Sequence, residues 1–207
     1  MSKRKELPYE FMERTSNITK KGVTLIVATS PIPSHPKTDI VDTALESVLE
    51  MNYPFDQVIV SYDIPPKGVQ KASYKKYKED MKKKYPKFTH LEMTKHGHFI
   101  GSFYNALQHT RTQHFLMLQH DIKLVGEFPF DKCLGYTFDW NIIATHHMKK
   151  GLEEQHWFPI FKSVNKELYK SWGWSERIFL SKRDWMMDQI RGCYGSDPQR
   201  THNFMDT

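Results

Sequence analysis

Gln113-His-Phe-Leu-Met-Leu-Gln-His-Asp-Ile122 decides how the rest of this chain is read. Phe115 to Leu118 is an uninterrupted apolar run, followed by Gln119 and His120 and closed by one carboxylate, Asp121. An uncharged strand belongs in the middle of a sheet covered on both faces, where neither side of the pleat meets water. Open α/β sheets take their ligands outside the carboxyl ends of the strands, which is where His120 and Asp121 then stand. The segment Gly101-Ser-Phe-Tyr-Asn-Ala-Leu107 just before it reads as the start of a helix. The order is helix, buried strand, acid.

Working outward, Val23-Thr-Leu-Ile-Val-Ala28 is a second apolar run and a first strand. Ser30-Pro-Ile-Pro-Ser-His-Pro36 follows, and its three prolines forbid helix and ladder alike, leaving a rigid loop. Thr38 or Asp39 then caps a helix to about Met51, with Ile40, Val41, Ala44, Leu45, Val48 and Leu49 on one face. Gln57-Val-Ile-Val-Ser-Tyr62 is a strand that also ends in an acid, Asp63. A lysine-rich helix, a strand near Phe88 to Met93 and a helix around 100–111 lead to the strand ending at Gln119. Asn141–Thr145 and Trp157–Phe161 read as later strands. Ser181 to about Arg191 reads as a helix opened by the capping box Ser181-x-x-Asp184. Strands alternating with helices predict an α/β fold, Rossmann-like, with a mostly parallel central sheet flanked by helices.

At 207 residues the chain is one domain, 1–207, large enough to bury a full core. It has no run of eighteen apolar residues to span a bilayer, and its first twenty residues carry no apolar secretory region. Two cysteines, Cys133 and Cys193, make neither a disulfide framework nor a metal motif, so a cytoplasmic setting is expected. The net charge of +6 is local: Lys67 to Lys87 holds nine lysines and two acids, +7, leaving −1 for the remainder. A nucleic-acid binder spreads its basic residues over a face with Arg prominent, so no nucleic-acid partner is expected. Tyr74, Tyr77, Met81 and Tyr85 recur at helical spacing as the buried stripe of that lysine helix, whose outer face is solvated. Weak contact with an anionic membrane surface through Lys67–Lys87 is the other reading.

These stretches, in this order, resemble a GT-A glycosyltransferase of the family 2 type. The resemblance is carried by Val23–Ala28 with its loop, Leu45-Glu-Ser-Val48, Val58-Ile-Val-Ser-Tyr-Asp63, Gly101-x-x-x-Asn105-Ala-Leu107 and Phe115–Asp121. The proline loop, Arg111-Thr-x-x-x-Leu116 and His120-Asp121-x-x-Leu124 resemble a subset of microbial transferases. The match covers residues 23 to about 130. It implies a nucleotide-sugar half, 1–130, and an acceptor-side half, 131–207.

The resemblance implies that Thr29, Ser30, Pro31, Ser34, Asp63, Gly101, Asn105, Gln119 and His120 bind the nucleotide sugar, a UDP-sugar above others. The family's Asp-x-Asp metal motif stands here as Gln119-His120-Asp121, so the first acid is replaced by an amide and the last is kept. Asp121 is then the metal contact, with His146 and His147 as further ligands, and mixed oxygen and nitrogen donors favour Mn²⁺ over Mg²⁺. Two partly buried structural histidines are the competing reading. The family inverts, and its base is an acid in the second half. Asp206 in Phe204-Met-Asp206 matches best, and Glu176 after two tryptophans is second. Asp206 is the penultimate residue, so as base it implies a chain continuing in a longer protein. The acceptor is a glycan or other hydroxyl compound. Two rivals stand beside this reading. A nucleotidyltransferase would show a Gly-rich basic loop after the first strand, which Ser30–Pro36 lacks. A noncatalytic sugar- or nucleotide-binding module would need no metal.

Overall fold

The computed structural model describes residues 20–29, 36–65, 71–94, 96–126, 128–137, 142–144, 162–163, 169–170 and 178–194. In chain order they form β1 (Lys20–Thr29), α1 (Asp39–Leu49), β2 (Gln57–Tyr62), α2 (Lys71–Lys84), β3 (Thr89–Glu92), α3 (His98–His109) and β4 (Thr112–Gln119). Then come α4 (Phe130–Tyr136), β5 (Ile142–Ala144), β6 (Lys162–Ser163), β7 (Tyr169–Lys170), β8 (Phe179–Lys182) and α5 (Arg183–Tyr194). Six strands join in the order β3-β2-β1-β4-β8-β5, and β6 pairs with β7 separately. β3, β2, β1 and β4 run parallel, whereas β8 lies antiparallel to β4 and to β5. The fold is α/β with a mostly parallel sheet, as the alternation of elements implies.

β1 and β4 take the centre because they are the most apolar. Val23, Leu25 and Val27 of β1, with Leu116 and Leu118 of β4, pack beneath Val41, Leu45 and Val48 of α1 and Tyr74, Tyr77 and Met81 of α2. On the other face Ile26, Phe115 and Met117 meet Ile100, Phe103 and Leu107 of α3 and Met186, Met187 and Ile190 of α5. Each fully buried aliphatic or phenyl side chain contributes about 1.5–3 kcal/mol, so both layers are held by the same strands. Helix α2 is anchored as its stripe predicts. Its outer face is partly neutralised: Lys78 and Lys82 both reach Glu92, and Lys84 reaches Asp42 at 3.0 Å and Glu46 at 3.1 Å. These two cations hold the Glu92 carboxyl below its ordinary range, Lys78 foremost.

The last elements depart from the sequence reading. Ser181 lies inside β8, laddered to Phe115 on one side and Ile142 on the other, and α5 begins only at Arg183. No capping box forms, because two strands claim the Ser181 backbone and the Asp184 carboxylate accepts from the Arg183 guanidinium at 2.8 Å. Arg183 itself is buried, and its Nε donates at 3.0 Å to the Leu107 carbonyl in the last turn of α3, which also accepts the Thr110 N–H at 3.2 Å.

His114 on β4 makes a pH-dependent contribution. Thr137 gives its hydroxyl hydrogen to the Leu134 carbonyl, so at 3.0 Å the His114 Nε2–H donates to the Thr137 oxygen. Burial, assisted by Lys182, holds the imidazole pKa below its ordinary 6.5. The unfolded chain therefore takes up this proton first as pH falls, so the contribution is complete above pH ~6.5 and shrinks below it. His114→Gln should flatten the fall in melting temperature between about pH 7 and 5 relative to the parent. Thermal unfolding across that range checks it, and an unchanged slope would contradict it.

Candidate functional site

The strand order reverses direction at β1. The chain leaves β1 towards β2 and β3, then returns through α3 to β4 on the opposite side. The crevice between the carboxyl ends of β1 and β4 is therefore the topological switch point, where such sheets bind ligands. Register pairs Ala28 with Gln119 and Thr29 with Tyr62, so Thr29, Asp63 and the Gln119-His120-Asp121 segment lie along one edge.

Asp121 occupies a tight turn closed by the Ile122 N–H on the Gln119 carbonyl at 3.2 Å. Beyond it, the Leu124 N–H donates at 3.0 Å to Ser47 Oγ on α1, and Leu124 enters the core. The turn is thus anchored at both ends while Asp121 itself is exposed and, among the described residues, makes no ion pair or side-chain hydrogen bond. A free carboxylate on a fixed turn is a fitting contact for a cation. Among the described residues no group of three or more His, Cys, Asp or Glu converges as a protein-only metal site, so remaining ligands would have to come from elsewhere.

Asp63 is arranged differently. Its carboxylate is buried, and Oδ1 accepts from the Ile64 N–H at 2.8 Å and the Gly97 N–H at 2.9 Å. Oδ2 stands 2.9 Å from His96 Nδ1. The Asp63 carbonyl takes the Tyr74 hydroxyl, and its N–H donates to the Thr29 carbonyl at 3.3 Å. The residue therefore pins the end of β2 to β1, to α2 and to the start of α3. The packing there is close: a Cβ on Gly97 would lie 2.8 Å from Met93 Cε and 3.1 Å from Gly101 Cα. His98, which follows, adopts φ of +53° and places its ring 4.1 Å from that of His96, centroid to centroid. Nothing in the sequence reading singled out His96 or His98, although the triplet His96-Gly97-His98 at a helix start was available as a signal.

Thr29 ends β1 with its hydroxyl 2.6 Å from that of Tyr77, inside the core, where burial pushes the Tyr77 pKa up to about 12. Gly101 is buried one turn into α3. Asn105 lies in the second half of that helix, which runs away from the carboxyl edge, with its carbonyl taking His109 Nδ1 at 2.9 Å. The structure brings Thr29, Asp63, Gln119, His120 and Asp121 to one edge, and does not bring Asn105 there. Ser30, Pro31, Ser34, His146, His147, Glu176 and Asp206 lie outside the described residues.

No protein-family model and no curated protein matches the chain. Solved structures do. 4-Diphosphocytidyl-2C-methyl-D-erythritol synthase from Anaerococcus prevotii aligns with a TM-score of 0.55 at 10% identity, over 89% of this chain and 80% of that one. CMP:2-keto-3-deoxy-manno-octonic acid synthetase, solved with CTP, gives 0.54 at 12% identity over 87% and 81%. Residues 1–349 of TarS from S. aureus give 0.50 at 13% identity over 81% and 49%. The fold is GT-A-like. Nucleotidyltransferases and glycosyltransferases share it, and at these identities the likeness is one of fold.

Proposed function

We propose that the protein is a metal-dependent, inverting glycosyltransferase that draws its sugar from a nucleotide-diphosphate sugar, UDP-sugars being favoured. The observation that carries this reading is Asp121, an unpaired carboxylate held on a doubly anchored turn at the switch point of a GT-A-like sheet. The diphosphate belongs over the end of β4 and the nucleoside over the ends of β1 and β2, with Gln119 and His120 around them and Thr29 and Asp63 bracing the strand ends from within. Asp121 would hold one Mn²⁺ or Mg²⁺, the phosphate oxygens supplying other ligands. The cation would offset the charge that develops on the departing diphosphate.

An acid on the far side of the sugar then takes the proton of the acceptor hydroxyl as that oxygen attacks. Asp206 is proposed for this role and Glu176 as its substitute. Asp206→Asn should lower turnover about 10²-fold with donor affinity near the parent's, a general base acting on the chemical step and not on binding. Full activity in both Asp206→Asn and a chain ended at Asn203 would reassign the role.

Nucleotidyl transfer is the second reading, because the A. prevotii and CTP-bound neighbours share the fold. A screen of UDP-, GDP- and dTDP-sugars for metal-dependent release of nucleoside diphosphate tests the proposal. Release with one donor class supports it, and silence with all of them, together with turnover of a nucleoside triphosphate, would replace it by the second reading.

A further inference from the structure

Resting on that reading, we propose that His96 reads the base of the nucleotide and that Asp63 acts through His96 as its positioning residue. His96 Nδ1 lies between two acceptors, Asp63 Oδ2 at 2.9 Å and the Ile64 carbonyl at 3.1 Å, so this nitrogen carries a hydrogen. In the neutral ring Nε2 is then an acceptor. No buried side-chain polar atom among the described residues lacks a partner, and no partner of Nε2 occurs among them, so Nε2 is open to solvent. The ring is 38% exposed, while the Asp63 carboxylate behind it is 7% exposed and already has three donors. The carboxylate is spent on the protein. The imidazole edge is what it offers outward.

The backbone confirms that this placement is imposed. His98 at φ +53° pays a conformational penalty that a non-glycine residue rarely bears, and such residues collect where a site over-determines the chain. Gly97 lies close against Met93 and Gly101, so the bend is tightly packed. The result is an imidazole held at the end of β2, two strands and roughly 10 Å from the end of β4. With the diphosphate at Asp121 on β4, that distance leads along the nucleoside to its base. A fixed acceptor there pairs with a base carrying a ring N–H, as uracil, thymine and guanine do. Cytosine and adenine present a lone pair at the same point and leave Nε2 facing another acceptor, so the device selects by a missing hydrogen.

Titration calorimetry of UDP and CDP in the presence of Mn²⁺ at pH 8.5, on the full chain and its variants, tests this. The parent should bind UDP about tenfold more tightly than CDP, one well-placed hydrogen bond against one mismatch. His96→Ala should bring the two affinities within about twofold of each other by weakening UDP. Asp63→Asn turns an amide N–H towards Nδ1, because its oxygen stays with the two backbone donors, and so should lose the same preference. The double variant should lose no more than either single one, the sign that Asp63 acts through the ring. A merely structural role would weaken both nucleotides alike. If the parent binds UDP and His96→Ala keeps the full UDP-to-CDP ratio, the inference about His96 is overturned and the functional reading stands. If the parent binds no nucleoside diphosphate, both fall.

Discussion

Asp121→Ala should remove cation-dependent turnover of the donor on the order of 10³-fold, the share of a metal that neutralises a leaving diphosphate. The substitution acts on chemistry and not on folding, since Asp121 is exposed and has no partner among the described residues to lose. Melting temperature should therefore stay at the parent value while Mn²⁺ no longer strengthens nucleotide binding. Calorimetric titration of UDP with and without Mn²⁺ gives the check. If Asp121→Ala still shows the parent's Mn²⁺-dependent gain in affinity, the cation is held by other groups.

The largest effect on stability should come from Phe103→Ala, at about 3–5 kcal/mol. Phe103 of α3, Phe115 of β4 and Phe179 of β8 are all fully buried and meet edge-on, with centroids 5.4 to 6.0 Å apart. The trio joins the parallel half of the sheet to its antiparallel edge through one helix. Removing its α3 member leaves a void between α3 and the face of the paired strands β4 and β8. Urea unfolding should show an earlier midpoint for Phe103→Ala, and a loss under 1 kcal/mol would mean that the cavity collapses freely.

Legibility in the sequence followed the density of uncharged side chains. β1, β2 and β4 were readable because each is a run of apolar residues with an acid or polar residue at its carboxyl end, and the stripe of Tyr74, Tyr77 and Met81 placed α2 correctly. β8 was not. Phe179-Leu-Ser-Lys182 is four residues with a hydroxyl in the middle, which local chemistry cannot separate from the approach to a helix. The seven-residue α4 was too short to show a period. Within the site, positions at strand ends were readable, but side-chain direction was not. Asp63 turns inward because its partners Gly97 and His96 lie more than thirty residues further on, in the connection from β3 into α3. Thr29 likewise turns to Tyr77, forty-eight residues away. Such long-range partners decide whether a strand-end residue faces a ligand or the protein, and no local pattern encodes them.

Phosphorus NMR of the reaction products is the most direct measurement of what the carboxyl edge does. With a UDP-sugar, Mn²⁺ and a hydroxyl acceptor, glycosyl transfer breaks the bond from the anomeric carbon to the phosphate oxygen, yields UDP and leaves its P–O–P linkage intact. That linkage should survive in the product, and the Asp121→Ala variant should form UDP about 10³-fold more slowly. Appearance of inorganic pyrophosphate from a nucleoside triphosphate, with no UDP formed from any sugar donor, would contradict glycosyl transfer and assign the site to nucleotidyl transfer instead.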